Sequence, residues 1–460
     1  MLKRYIGDRA FYRRVLGIAV PIIIQNGITN FVALLDNIMV GQVGTVQMSG
    51  VSIANQLILI FNLCIFGATS GAGIFTAQFF GSEDQEGIRH TFRFKTIACL
   101  LLGVLGCCVF AFWGSPLVNM YLQGEGDPAA AIQTQAYGIA YLQIMLLGFL
   151  PFALTNAYAS TLRETGQTVV PMVAGICAML INLVLNYVLI FGHFGAPVMG
   201  VQGAAIATVI SRYAELAIVA GWTHLHTEKS PFIRGAYRSL HIPKPLLLTM
   251  IRKGFPLLMN EFLWSSGIAV LNQCYSTCGL DVVPALNIAG TVQNLAKVVT
   301  LAVASSIGIV MGQMLGAQEK REALQESNRK LMALSIVSGV LCGGIMVAVS
   351  ELFPLAFNTT SSIRALSGSL IRVIGVLTPV MGYSLATYFT LRSGGQTFIT
   401  FLFDSCFTWV CMVSLAFALS RFTDMAVVPL FALSQGMELI KCFLGTWMLK
   451  KGIWIRNLTN

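Results

Sequence analysis

Charge is what this sequence has least of. Only 10% of its 460 residues are Asp, Glu, Lys or Arg, against about a quarter in soluble domains. That scarcity excludes a large water-soluble core. Histidine is also scarce, and His193, His224, His226 and His241 sit in or beside loops without forming a ligand cluster. The 11 cysteines fall inside apolar runs, including Cys107-Cys108, and none has C-x-x-C zinc spacing. Cys274 and Cys278, one turn apart, read as packing. No G-x-x-x-x-G-K-[ST] loop is present, so no ATP hydrolysis is expected of this chain, and H-E-x-x-H and G-x-S-x-G are missing too. The expectation is a protein that is not an enzyme and needs no cofactor.

What is abundant is apolar. Hydrophobic residues make up 56% of the chain, with a mean hydropathy of +0.75. The apolar runs are about 20 residues long, the length a helix needs to cross the hydrocarbon layer. The short alternating segments of a membrane β-barrel are absent. The reading is an all-α integral membrane protein with twelve transmembrane helices. Their centres fall near residues 28, 65, 103, 145, 180, 211, 263, 299, 341, 377, 408 and 438.

The net charge of +10 suggests nucleic acid until its placement is examined. Lys3, Arg4, Arg9, Arg13 and Arg14 precede the first span, and Arg89, Arg93 and Lys95 follow the second. Lys229, Arg234, Arg238, Lys244, Arg252 and Lys253 fill one long loop, Lys320, Arg321, Arg329 and Lys330 another, and Lys450, Lys451 and Arg456 close the chain. The alternate connections, near Gly41–Gly50, Gly114–Ala131, Gly192–Gly200 and Ser276–Pro284, hold no Lys or Arg; Arg364 and Arg421 are the exceptions on that side. This is the positive-inside pattern. It places both termini in the cytoplasm of a multi-pass inner or plasma membrane protein, with anionic lipid headgroups rather than nucleic acid as the basic residues' partner. The first apolar run lacks a small-residue cleavage site and reads as a retained helix.

The two halves repeat. Ala19-Val20-Pro21 aligns with Gly254-Phe255-Pro256, and Gln78-Phe79-Phe80-Gly81 with Gln313-Met314-Leu315-Gly316, both at an offset of 235. TLRETGQT (Thr161–Thr168) matches TLRSGGQT (Thr390–Thr397) at an offset of 229. Six spans return the chain to its starting side, so the repeats are parallel, a transporter signature. The expected organisation is a cytoplasmic segment 1–14, a six-helix bundle 15–222, a basic cytoplasmic linker 223–249, a second six-helix bundle 250–449 and a tail 450–460. Pro21 and Pro256 each remove a backbone donor early in a first helix and read as hinges.

Ionisable groups inside a membrane are costly and should face a partner or a wetted cavity. In the first span Gln25, Thr29 and Asp36 share one helical face, with Asn26, Asn30 and Asn37 beside it. In the seventh, Glu261, Ser265, Ile268 and Asn272 form a stripe, adjoined by Asn260 and Trp264. In the eleventh, Thr397, Thr400, Asp404 and Thr408 share a face. If Asp404 lies near Glu261, the pair is suited to loading and unloading a proton, with Lys297 of span eight as a neutralising alternative. Asn182 and Asn186, one turn apart in the fifth span, and Thr208 in the sixth add polar partners. Arg212 with Glu215, and Glu438 with Lys441, read as self-neutralising i,i+3 pairs, and Arg372 as a snorkelling side chain.

FVALLDNIMVGQVG, TAQFFG, TLRETGQT, LINLVLNYVLIFG and GVQGAAIAT together resemble the multidrug and toxic-compound extrusion (MATE) family, over about Arg13 to Lys451. The resemblance implies two pseudosymmetric six-helix bundles around a V-shaped cavity, in a bacterial member of the family. It also implies export of organic cations and other amphipathic small molecules by antiport with H⁺ or Na⁺. Asp36 matches the family's first-helix coupling aspartate, and Asn182, Asn186 and Thr208 match its polar partners, a candidate Na⁺ set. Archaeal relatives often carry aspartate where Asn186 stands. Glu261 resembles the seventh-helix glutamate but follows Pro256 by five residues where many members have eight, the place of Trp264 here. Met381 stands near the family's tenth-helix acid, for which Asp404 is the expected substitute. Asp36, Glu261 and Asp404 are therefore the expected coupling acids. Gln25, Asn26, Asn182, Asn186, Thr208, Asn260, Trp264 and Ser265 are the expected substrate-facing residues. A monomer in the lipid bilayer is expected. The alternatives are a flippase for lipid-linked saccharides of related architecture and a non-transporting membrane scaffold or receptor.

Overall fold

The computed structural model describes residues 5–122 and 128–459. Lys3 and Arg4, residues 123–127 of the Gly114–Ala131 connection, and the side chain of Asn37 lie outside the described residues.

Among those residues, ten helices are long and apolar enough to cross a membrane: Arg9–Gly41, Thr45–Gly81, Gln85–Met120, Val169–Phe191, Gly200–Leu225, Val282–Gly316, Arg321–Val349, Ser361–Ser393, Thr397–Phe422 and Val427–Lys451. An eleventh span, fourth in chain order, is broken: Ala129–Leu146 and Phe149–Glu164 meet at a bend of 51°. The cause is local. Pro151 has no N–H to offer the carbonyl of Leu147. The chain closes the gap with tighter bonds, Leu147 N–H to Ile144 at 3.1 Å and Gly148 N–H to Met145 at 2.9 Å. The twelfth, seventh in chain order, is Lys244–Ser276. It is long enough but falls short on apolarity, because Pro256, Asn260, Glu261, Trp264 and Ser265 dilute its middle. Twelve spans in two six-helix sets result. Apolar side chains such as Leu101, Phe112, Val410 and Phe443 are at least 66% exposed, which suits a surface that meets hydrocarbon rather than water.

By packing, the chain divides into two compact units. One comprises Met1–Ile23, Ala77–Glu83 and Ile251–Asn460; the other comprises Ile24–Thr76 and Asp84–Met250. The second of these is centred on Phe61, Ile65, Leu142, Met145 and Phe149, with Phe61 and Phe149 stacked at 4.2 Å. The first is centred on Tyr275, Ile371, Ile374, Leu430 and Phe431; the Tyr275 hydroxyl, buried among them, bonds Ser434 at 2.6 Å.

The sequence repeat is a repeat of turns. Gly166 and Gly395 occupy equivalent places in TLRETGQT and TLRSGGQT and both adopt left-handed backbone, φ 82° and 71°. Each closes its helix with the same pair of bonds. Gly166 N–H reaches Arg163 and Gln167 N–H reaches Leu162 at 3.1 and 2.7 Å, while Gly395 reaches Arg392 and Gln396 reaches Leu391 at 2.8 and 3.3 Å. This is a glycine helix stop. The ends of the second and eighth spans match as well: Glu83 and Gln318, 235 residues apart, are both left-handed at φ 59° and 55°.

The basic linker is docked, not loose. Arg93 of the third span donates to the carbonyls of Gly235, Ala236 and His241 at 3.0, 2.7 and 3.0 Å. Phe92 packs on Phe232 at 5.4 Å. Arg93→Ala should free the linker, raising tryptic cleavage at Lys229, Arg234 and Arg238 several-fold in limited proteolysis while leaving the spans intact.

Candidate functional site

The first candidate site lies in the unit that holds Asp36. The Asn186 amide donates to Asp36 Oδ1 at 2.5 Å and to Asn182 Oδ1 at 3.1 Å, and the Asn182 amide donates to Thr208 Oγ1 at 3.2 Å. Helical spacing explains the chain: Asn182 and Asn186 are one turn apart, so both face the first span from the fifth. Asn186 is fully buried and Asn182 is 3% exposed. The Asn186 side-chain oxygen, Oδ1, is buried and accepts no hydrogen bond among the described residues. Tyr141 of the fourth span, buried, lies close to Asn55 and Thr208 and within electrostatic reach of Asp36. Sequence reading missed Tyr141 and Asn55, because a tyrosine and an asparagine scattered in two apolar spans carry no linear signal.

Gln25, Thr29 and Asn30 of the first-span polar band bond elsewhere than Asp36. Gln25 accepts from Arg163 Nη1 at 3.3 Å. Thr29 and Asn30 turn back to the carbonyls of Gln25 and Asn26 at 2.9 and 2.8 Å and are exposed. The expected single stripe therefore resolves into separate contacts. Arg212 does not stop at Glu215: it also lies over the Phe152 ring, 4.3 Å from its centroid, and Glu215 is shared electrostatically with Arg163.

The second candidate site lies wholly in the other unit. Asn260 of the seventh span donates to Asp404 Oδ2 at 3.1 Å and approaches the Tyr388 hydroxyl at 3.5 Å. Ser405 donates back to the carbonyl and the Oδ1 of Asn260 at 2.8 and 2.7 Å. Glu261, next to Asn260 in the chain, lies within electrostatic reach of Arg392 and Asp404. Asp404 sits in a wide π-turn stretch, Leu402–Cys406, followed by another, Thr408–Val413; such widenings of a helix recur at functional sites.

Three ionic contacts differ from what the sequence suggests. The cation beside Asp404 is Lys441 of the twelfth span, 2.7 Å from Oδ1. Lys297 instead lies over the Trp264 ring at 5.4 Å. Glu438 and Lys441 are not a closed pair either: their 3.3 Å contact is the weaker side of a three-membered network, because the helix-helix packing brings Asp404 closer. Arg372 does not merely snorkel but pairs with Glu351 at 2.5 Å. Asn26 and Ser265 are half-buried. Pro21 and Pro256 lie inside their helices.

Against known families, the MatE model matches residues 21–188 and again 256–418. The chain belongs to the MatE family. The two matches begin at Pro21 and Pro256, the paired prolines of the sequence repeat. This MATE transporter is 22% identical over 417 residues to the probable multidrug resistance protein NorM of Thermotoga maritima, covering 90% of this chain and 87% of that one. It is 26% identical to the probable multidrug resistance protein YoeA of Bacillus subtilis, covering 89% and 87%. A solved structure of a MATE protein in complex with MaD3S superposes with a TM-score of 0.86 at 19% identity, covering 98% of both chains. That agreement establishes the two-bundle MATE fold for this transporter.

Proposed function

We propose that this MATE protein exports drug-like organic cations and related amphipathic compounds by antiport, driven by inward H⁺ or Na⁺. The observation that carries the reading is the Asp36 carboxylate, held inside a membrane span by an amide and hydroxyl relay, with no counter-cation paired to it among the described residues. An unneutralised acid at the centre of a span costs roughly 2.5–3.5 kcal/mol on insertion scales, and toward the span end it remains unfavourable, so a purely structural role is poorly served by it. The donors are hard oxygens, suited to a proton or Na⁺. In the described state the Asn186 amide presents its N–H to the carboxylate; turning that amide over would present the buried Oδ1 to a bound cation or to a protonated Asp36. Glu261 supplies a second exchangeable acid in the other half. Each charge moved inward down the potential releases about 2.3 kcal/mol per 100 mV, and 1.4 kcal/mol is tenfold in concentration. The distribution of basic residues supports a bacterial plasma membrane location with both termini in the cytoplasm.

The test is uptake of a fluorescent organic cation into proteoliposomes under an imposed pH or Na⁺ gradient. Wild type should respond to one of the gradients. Asp36→Asn and Glu261→Gln should each reduce gradient-driven transport by about tenfold or more, as intramembrane acids on an ion pathway do. Transport indifferent to both gradients, or equal in all three proteins, rejects the antiport reading.

A further inference from the structure

The two acid sites differ in what balances them. Asp36 is met by the Asn186 amide, with Asn182 and Thr208 behind it. Asp404 has an ammonium. Lys441 Nζ lies 2.7 Å from Asp404 Oδ1 and 3.3 Å from Glu438 Oε1, with the Lys441 side chain only 4% exposed. Two of the three ammonium donors are thus spent on carboxylates from two different helices, and the Phe403 ring covers the group at 5.3 Å. The second Asp404 oxygen is taken by Asn260. Glu438 Oε2 is buried and has no hydrogen-bond partner among the described residues, so the oxygen cage holds more acceptor capacity than Lys441 satisfies.

We propose that Lys441 is a tethered cation: its ammonium permanently fills a monovalent-cation site built from Asp404 and Glu438, and removing it opens that site to an ion from solution. A lysine ammonium is a compact point charge with three donors on a flexible stem. It can therefore stand where a small free cation would stand, with the difference that it cannot leave. This rests on the antiport reading in one respect only: the exchanged ion is then handled at Asp36 and Glu261, and the Asp404 pocket is closed to it.

The experiment measures ion binding, not transport, so its outcome is independent of whether antiport is correct. The full chain is purified in detergent as wild type, Lys441→Ala, and the triple variant Lys441→Ala/Asp404→Asn/Glu438→Gln. Thermal unfolding midpoints are compared in choline, Na⁺ and methylammonium chlorides at equal ionic strength. Any response of wild type, which retains Asp36, is the baseline. Lys441→Ala should melt several degrees lower than wild type in choline. Na⁺ or methylammonium should then recover at least half of that loss, saturably and beyond the wild-type response. The triple variant should show no such extra recovery. A Lys441→Ala protein that responds to the cations no more than wild type overturns the proposal, and so does a triple variant that keeps the extra response. If Lys441→Ala cannot be purified in any of the three salts while the triple variant can, no external cation enters the site, and the proposal fails on that result too.

Discussion

Lys95→Met should be among the most damaging single substitutions in the protein. Lys95 is fully buried in the third span and is paired with Glu164 at the end of the broken fourth span, with a further bond to Thr161 at 3.2 Å. Removing one partner of a buried pair leaves an uncompensated charge and costs about 3–5 kcal/mol. The Glu164 side chain is 13% exposed, so solvent relieves little of that. The expected result is a sharply lower yield and unfolding midpoint for Lys95→Met in detergent. Lys95→Met/Glu164→Gln should recover most of the loss, because it removes the carboxylate that has lost its ammonium partner. A single variant as stable as wild type would show that the pair contributes nothing. The repeat makes the same point from the other half: Glu164 of TLRETGQT is replaced by Ser393 in TLRSGGQT. The position of Lys95 corresponds to Lys330, which pairs instead with Glu326 one turn away at 2.7 Å.

A comparably large effect is expected at Gly81 and Gly316. These glycines end the second and eighth spans, and they meet reciprocally. A Cβ on Gly81 would run into the carbonyl of Gln313, and a Cβ on Gly316 into the carbonyl of Gln78. The obstructing atoms are backbone, which no side-chain rotation can move. Overpacking ordinarily costs about 1–3 kcal/mol; here the helix ends themselves must separate. Gln78 is also where the tail is fastened: its amide donates to the carbonyls of Ser393 and Arg456 at 2.8 and 3.2 Å, and its oxygen accepts from Leu458 N–H at 2.7 Å. Asn457 adds a bond to the Leu315 carbonyl at 3.3 Å, and Trp454 is fully buried. Gly81→Ala and Gly316→Ala should therefore each lower the midpoint and raise hydrogen exchange over 452–459. The double variant should cost less than the sum, because both act on one contact. Unchanged exchange in the tail would separate the two features.

Much of this architecture was legible from linear pattern. The bilayer imposes a one-dimensional demand, apolar stretches of helical length, so span number and approximate centres follow from hydropathy. Even the seventh helix was readable, although its polar middle lowers its apolarity. The repeated turns were readable because only glycine adopts the left-handed stop without strain, which leaves Gly166 and Gly395 at fixed places in two similar strings. Asp36, Glu261 and Asp404 stood out for the same reason that made charge scarce: an acid inside hydrocarbon is conspicuous.

Partnership was not legible in the same way. Lys441 and Glu438 are near in sequence, so they read as a pair. Only the rotation of the twelfth span against the widened eleventh shows that Asp404 is the nearer acid. Tyr141 joins the Asp36 site from a different span altogether, and Gln78 finds its partners more than 300 residues away. By itself, the sequence determined which segments enter the membrane, that they do so as two related sets of six, and which residues bear ionisable groups there. The tertiary structure alone decided which of those groups is balanced by a cation and which by amides. The physical reason is that helix formation and insertion respond to local periodicity and composition. Pairing between helices depends on their relative rotation and depth, which side-chain packing sets and no linear spacing encodes.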